Sequence, residues 1–269
     1  MVCLLHNRIR TLAIFALLCD VILGHPVISR AVSEEATTQN PQQVRAFQAG
    51  ESLSYNISWS RMLKAGTAVM EVKAERRQDG QDVLRIIMTS HTVGALDKLY
   101  KLGDVVQSVF DPQTMQSLSF SLRETHGKKT RSREVVFDHE HHTAIINLNN
   151  DPPETVAIPE QIQDSLTSLY YLRTREDFVA GQPITFDVFD SDKSWIIEVQ
   201  TLGKEQVKTP AGEFSTIKVR AHHGLFMSER EVFVWLTDDV RKIPVRIKSQ
   251  LSIGSLVFTL TSLRSGGNP

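Results

Sequence analysis

The segment Asp138-His139-Glu140-His141-His142 sets two imidazoles at i and i+2, the spacing that shares one face of a β-strand. Neutral imidazoles beside a carboxylate can hold zinc or copper, which makes His139 and His141 the candidate metal ligands. The segment falls between two strand patterns, however, where a solvated turn is expected. No third ligand follows at a fixed spacing, so the expectation is no metal. His222-His223, just before Gly224, reads the same way. No cofactor is expected either, because the chain has no phosphate loop and no dinucleotide fingerprint. Serine catalysis would need a G-x-S-x-G elbow, and none occurs. Acids are numerous, but sequence alone cannot promote one pair to a glycosidase dyad. These absences favour binding over catalysis, with a carboxylate-dependent hydrolase as the remaining enzymatic reading.

Six residues are candidates for ligand contact: Tyr55, Trp59, Tyr100, Tyr170, Arg173 and Trp235. Burying such aromatics contributes about 2–3 kcal/mol each, so core or rim packing accounts for them equally well. Arg173 lies one turn beyond Leu169 and Tyr170 on an apolar helical face. A buried cation must be paired, and Glu51 or Asp164 is the expected partner. A structural ion pair is expected there rather than an anion site.

The elements that must position these residues are mostly strands. Leu53, Tyr55, Ile57 and Trp59 alternate with polar residues, and similar alternation runs from Thr67 to Ala74 and from Val83 to Ser90. Asp79-Gly80 between the last two is a hairpin signal. Further strands are expected at 105–110, 118–122, 135–138, 144–148, 184–189, 195–202, 214–221, 231–236, 243–251 and 256–263. Two segments read as helices. In Val93–Leu102, Leu96, Leu99 and Tyr100 share a face; in Gln163–Arg175, Ile162, Leu166, Leu169 and Tyr170 do. The Pro-rich stretch 151–159 is expected to be a long connection within one domain.

The expected fold class is therefore mainly β: a large, strongly curved antiparallel sheet of about a dozen strands, a barrel or half-barrel, with two short covering helices. So many strands cannot stay flat and open. The concavity they form is a place for an apolar ligand.

The 269 residues are 41% hydrophobic and 23% charged with net charge −1, which excludes disordered and multi-span membrane classes and a basic nucleic-acid binder. Arg8 and Arg10 precede an apolar run from Thr11 to Cys19 that continues through Val21–Leu23, the pattern of a secretory signal peptide. Ser29-Arg30-Ala31 suits cleavage after Ala31; a cut near Gly24 is the alternative. A retained anchor is disfavoured by Asp20, and lipidation of Cys19 by the bulky Leu18 before it. Cys3 and Cys19 are the two cysteines, so a processed chain carries no thiol for disulfides, catalysis or zinc. The expected organisation is 1–31 signal peptide, 32–46 flexible leader, 47–265 one β-rich domain and 266–269 a disordered tail. No transmembrane span is expected after cleavage.

Four motifs occur in order: Gly50-Glu51-x-Leu53-x-Tyr55, Asp164-Ser165-Leu166 leading to Leu169-Tyr170-Tyr171-Leu172-Arg173, Thr209-Pro210-Ala211-Gly212-Glu213-Phe214, and Trp235-Leu236-Thr237-Asp238-Asp239-x-Arg241-Lys242-Ile243-Pro244-Val245. Together they resemble the DUF3108 family of exported bacterial proteins over about residues 47–263. The resemblance implies a β-rich fold and an envelope location, periplasmic or outer-membrane associated, and assigns no catalytic residue. The expected architecture is also similar, at the level of fold, to lipoprotein carriers of the Lol type. A lipid-like small molecule is one expected partner. The alternative is an envelope protein, with this chain acting as an assembly or interaction factor through exposed strand edges.

Overall fold

The structure is a computed structural model that describes residues 46–266 apart from 61, 62, 95, 96, 98–100, 128, 150, 224–230, 252 and 253. The expected signal peptide, nearly all of the expected leader and most of the expected tail lie outside the described residues. So does most of the first expected helix: Gly94 and Asp97 are helical, while Leu102 already opens a strand.

Fifteen strands form one sheet: β1 (Ser52–Trp59), β2 (Leu63–Arg76), β3 (Asp82–Thr92), β4 (Leu102–Asp111), β5 (Gln116–His126), β6 (Lys129–Asp138), β7 (Thr143–Leu148), β8 (Glu154–Ala157), β9 (Gln163–Asp164), β10 (Ile184–Asp190), β11 (Lys193–Thr209), β12 (Gly212–His223), β13 (Val232–Thr237), β14 (Pro244–Leu251) and β15 (Gly254–Arg264). The order is β8 to β1, then β15 down to β9. Two meanders thus meet at the sheet centre, where β1 and β15 pair from Ser52↔Arg264 to Trp59↔Leu256. All pairs are antiparallel except β9 with β10.

Two short strands, β8 and β9, join the thirteen segments that alternation marked. β8 lies inside the Pro-rich stretch, whose prolines flank rather than interrupt it, and it pairs only with β7. β9 has two residues, too few to show alternation. It also shortens the second expected helix. That helix, α1, runs only over Thr167–Thr174. Gln163 and Asp164 pair instead with Val188 and Phe189 of β10.

Alternation sends one face of each strand inward. Leu53, Tyr55 and Ile57 of β1 are at most 3% exposed, and Ser54 and Asn56 between them point outward. The Asp79-Gly80 turn closes β2 onto β3. Gly80 takes φ 87°, which glycine tolerates, and Asp79 Oδ1 accepts the Gln81 N–H at 3.0 Å.

The sheet rolls until it overlaps itself. Val188 of β10 faces the main core, while its neighbour Phe189 faces the other way and meets Phe137 of β6 edge-on at 5.5 Å. A second core of Val135, Phe137, Ala144, Ile146, Ile162 and Phe189 fills this overlap. The Ser117 N–H of β5 bonds to the Ile162 carbonyl at 3.3 Å. Side chains rather than a continuous ladder therefore seal the roll, and the β9 edge is tucked under β5. Helix α1 lies inside: Leu166, Leu169, Tyr170 and Leu172 belong to the main core. It plugs the roll rather than covering it from outside. Among the described residues no helix is long and apolar enough to cross a membrane.

Candidate functional site

The plug is held by one ion pair. The Arg173 side chain has no exposed surface, and its Nη1 and Nη2 donate to Glu51 Oε1 and Oε2 at 2.7 Å each. Nη2 also donates to the Ala46 carbonyl at 2.9 Å, and Nε to the Arg241 carbonyl at 3.2 Å. The guanidinium sits 5.3 Å from the centre of Phe47 and 5.0 Å from that of Tyr170. A forked pair of this kind is the strong form of carboxylate recognition. Burial alone would lower the guanidinium pKa; the hydrogen bonds and charge of Glu51 outweigh it and raise it. Tyr55 donates to the Pro244 carbonyl at 2.9 Å, and burial pushes its phenol well above the usual range.

Asp164 is not the partner of Arg173. It is 1% exposed and sits in the overlap of the roll. Its carboxylate accepts Ser108 Oγ at 2.8 Å, Ser117 Oγ, and the N–H groups of Leu166 and Thr167 at 2.7 and 2.9 Å. One side chain thus joins β4, β5 and the start of α1. Burial raises its pKa, against the pull of these hydrogen bonds.

The six candidate contact residues do not form one site. Tyr55, Tyr170 and Arg173 come together at the plugged end. Trp59 stands at the far end of β1, half-buried. Trp235 is on the strand phase opposite to Val234 and Leu236, yet it is buried at 6% exposure within the main core; it is in register with Lys218 and Arg246, and its Nε1 donates to Glu205. Tyr100 lies outside the described residues. His139 and His141 occupy the expected turn and part company there. His139 Nε2 is 2.7 Å from the Ser117 carbonyl, while His141 Nδ1 is 2.8 Å from Asp138 Oδ2. Among the described residues no three His, Cys, Asp or Glu side chains gather as a metal site. His222 lies 3.6 Å from Glu198.

Helix α1 reaches only one end of the roll; at the other, among the described residues, Thr92 Oγ1 donates to Asp97 Oδ1 at 2.9 Å and accepts the Leu102 N–H at 3.0 Å. Eight helical residues span about 12 Å, whereas eleven residues of a strand such as β3 span about 36 Å. The contacts of α1 with Glu51, Phe47 and Arg241 all lie at the end of the turns 112–115 and 238–243. Toward the other end the inner face keeps Ile57, Met88, Val219 and Leu256, each at most 3% exposed, and turns polar on β3 and β4 at Ser90, Thr92 and Asp104, each at most 8% exposed. At its rim Trp59, Ala221 and Val232 become part-exposed.

A buried acid stands in this half, and the sequence analysis missed it. Asp104 is in phase with Val106, Ser108 and Phe110, so it points inward and is 2% exposed. Glu124 is its direct cross-strand neighbour, and His126 Nε2 lies 3.8 Å from its Oδ1. Burial first, then the Glu124 charge, raise the Asp104 pKa to about 7, against an opposing hydrogen bond from the Thr125 backbone. The available signal was an acid on the apolar phase of a strand. Between its unfolded value near 4 and about 7, the folded protein holds a proton that the unfolded chain has released. Stability must therefore fall as pH rises through that window, by up to about 1.4 kcal/mol per pH unit. Asp104→Asn should remove this slope and raise the midpoint of denaturant unfolding at pH 8. An unchanged pH profile in the variant would contradict the assignment.

Comparison with known proteins bears on the fold. The family model described as "Protein of unknown function (DUF3108)" matches residues 54–261. No curated protein matches the chain. Among solved structures, a β-barrel-like protein of a domain of unknown function, DUF1849, from Brucella abortus aligns at TM-score 0.54 and 10% identity, over 82% of this chain and 99% of that one. A protein proposed to be a lipoprotein, from Parabacteroides distasonis, aligns at TM-score 0.37 and 9% identity, over 81% and 98%. A protein proposed to be exported, with a YmcC-like fold, from Bacteroides fragilis aligns at TM-score 0.33 and 12% identity, over 81% and 97%. The first of these likenesses agrees with the rolled sheet.

Proposed function

The chain belongs to the DUF3108 family, and we propose that it is an exported, non-enzymatic binding protein of the bacterial envelope that carries an apolar, lipid-like ligand at the end of its roll that α1 does not reach. One observation supports this reading: the inner face, mostly apolar, extends beyond α1, and Trp59, Ala221 and Val232, which pack against the core at that end, are part-exposed among the described residues. Concave, mostly apolar surfaces with few polar groups are the usual form of a small-molecule site. The reading takes residues 1–31 as the signal peptide, 32–46 as a leader, 47–265 as one domain and 266–269 as a tail. It places the protein in the periplasm.

A saturating fluorescence titration with N-phenyl-1-naphthylamine, which brightens on leaving water, tests it. Wild-type protein should show one saturable site. Ala221→Trp, which narrows the mouth, should weaken binding about tenfold or more, a cost of at least ~1.4 kcal/mol. No saturable rise, or equal binding by the variant, would contradict it. A second reading, partner capture by strand addition, is favoured by β8, which pairs on one side only and exposes most of its residues.

A further inference from the structure

The free edge of β8 presents its backbone at every second residue. Its register with β7 sets Glu154 against Ile146, Thr155 against Ile145, Val156 against Ala144 and Ala157 against Thr143. One residue further on, the Ile158 N–H donates to the His142 carbonyl at 2.9 Å. Backbone groups along an antiparallel strand alternate in direction. Glu154, Val156 and Ile158 therefore turn theirs toward β7, and Thr155 and Ala157 turn theirs away from the sheet. Both residues are exposed, so two N–H groups and two carbonyls are open in this strand of 4 residues. Pro153 and Pro159 flank it. Having no N–H to give, they end the ladder and keep the edge from templating an open-ended array.

Two further features surround this window. Val136 and Ile145 face each other across β6 and β7 on the outer side, 49% and 38% exposed, and Thr155 continues their row. They form an apolar shelf beside the open backbone. The charge around the window has one sign. Asp151, Glu154 and Glu160 lie in it or next to it, and residues 149–160 contain no Lys or Arg. No cation pairs with any of these three carboxylates among the described residues.

We propose that the β8 edge receives an extended segment of a partner protein that carries lysine or arginine, added as a further strand on Thr155 and Ala157. This rests on the strand-addition reading and specifies its partner. Main-chain bonds supply affinity in such an addition, and side chains choose the partner. A second copy of this chain would set three carboxylates against three, and like charges across a ladder repel. The chain's own residues 32–45 bring Glu34 and Glu35 against Arg45 alone. A basic segment instead puts a cation beside Glu154 and leaves the shelf of Val136 and Ile145 for an apolar side chain.

Fluorescence anisotropy of two labelled peptides with the full chain tests it. Both are capped and alternate threonine with valine over the length of the window; one ends in lysines, the other in glutamates. The lysine peptide should bind about tenfold tighter, at roughly threefold for each cross-strand charge pair. The difference should shrink as salt rises. Thr155→Pro removes an N–H that bonds nothing within the sheet, so it should fold normally and abolish binding of both peptides. If it does not fold, Glu154→Lys, at an exposed position, should erase the advantage of the lysine peptide. Equal affinity for the two peptides, still lost in Thr155→Pro, would overturn the basic partner and leave strand addition standing. No binding by either peptide would overturn both. A dimer in sedimentation velocity that Thr155→Pro dissociates would give the edge to a second copy and overturn the proposal as well.

Discussion

Arg173→Ala should destabilise the protein by about 3–5 kcal/mol, because it strands the buried Glu51 carboxylate without its partner. For a domain of this size that is a fall in midpoint of about 10–15 °C. The loss has two parts. Glu51 is left charged at 6% exposure, and the Ala46 and Arg241 carbonyls lose their donor. Arg173→Met combined with Glu51→Leu removes both charges and should recover most of the loss, since apolar replacement of a buried pair is often neutral or better. Urea unfolding of the three proteins checks this. A loss below about 1 kcal/mol in the single variant would show that the pair does not hold the plug.

Asp164→Ala should cost a similar amount, about 3–5 kcal/mol. It leaves two N–H groups and two hydroxyls in the overlap without their acceptor, each at about 1–3 kcal/mol less whatever the site relaxes. Asp164→Asn should cost much less. Its amide oxygen can still accept from Leu166 and Thr167, and the serine hydroxyls can turn to accept from its NH₂. Calorimetry of both variants separates a hydrogen-bond hub from simple packing. Equal losses in Ala and Asn would contradict the hub.

Much of the fold was legible because alternation reports burial directly. Each long strand from β1 to β7 and from β10 to β15 has its pattern in the sequence. The two missed strands lie at the sheet's edges, where few side chains are buried or too few residues exist to show a period. The overlap was not legible, because it depends on Phe189 facing opposite to Val188 across a rolled sheet. Alternation alone says nothing of what covers the outer face. Arg173 was legible as a buried cation from its helical phase, and Glu51 was one of two partners the charge argument allowed. Asp164 was read as the start of a helix because Leu166, Leu169 and Tyr170 follow at helical spacing. Its backbone instead completes a parallel pair, and its carboxylate takes the N–H groups of the first turn. The six candidate residues were chosen by type. Type cannot tell the plug, where Tyr55, Tyr170 and Arg173 meet, from the outer face, where Trp235 lies beneath cations.

Native mass spectrometry of the protein purified from its own host without detergent tests the central claim most directly. The account predicts a reproducible added mass in the lipid range, lost on unfolding and reduced in Ala221→Trp. A bare mass for wild-type protein that nonetheless folds normally would contradict it.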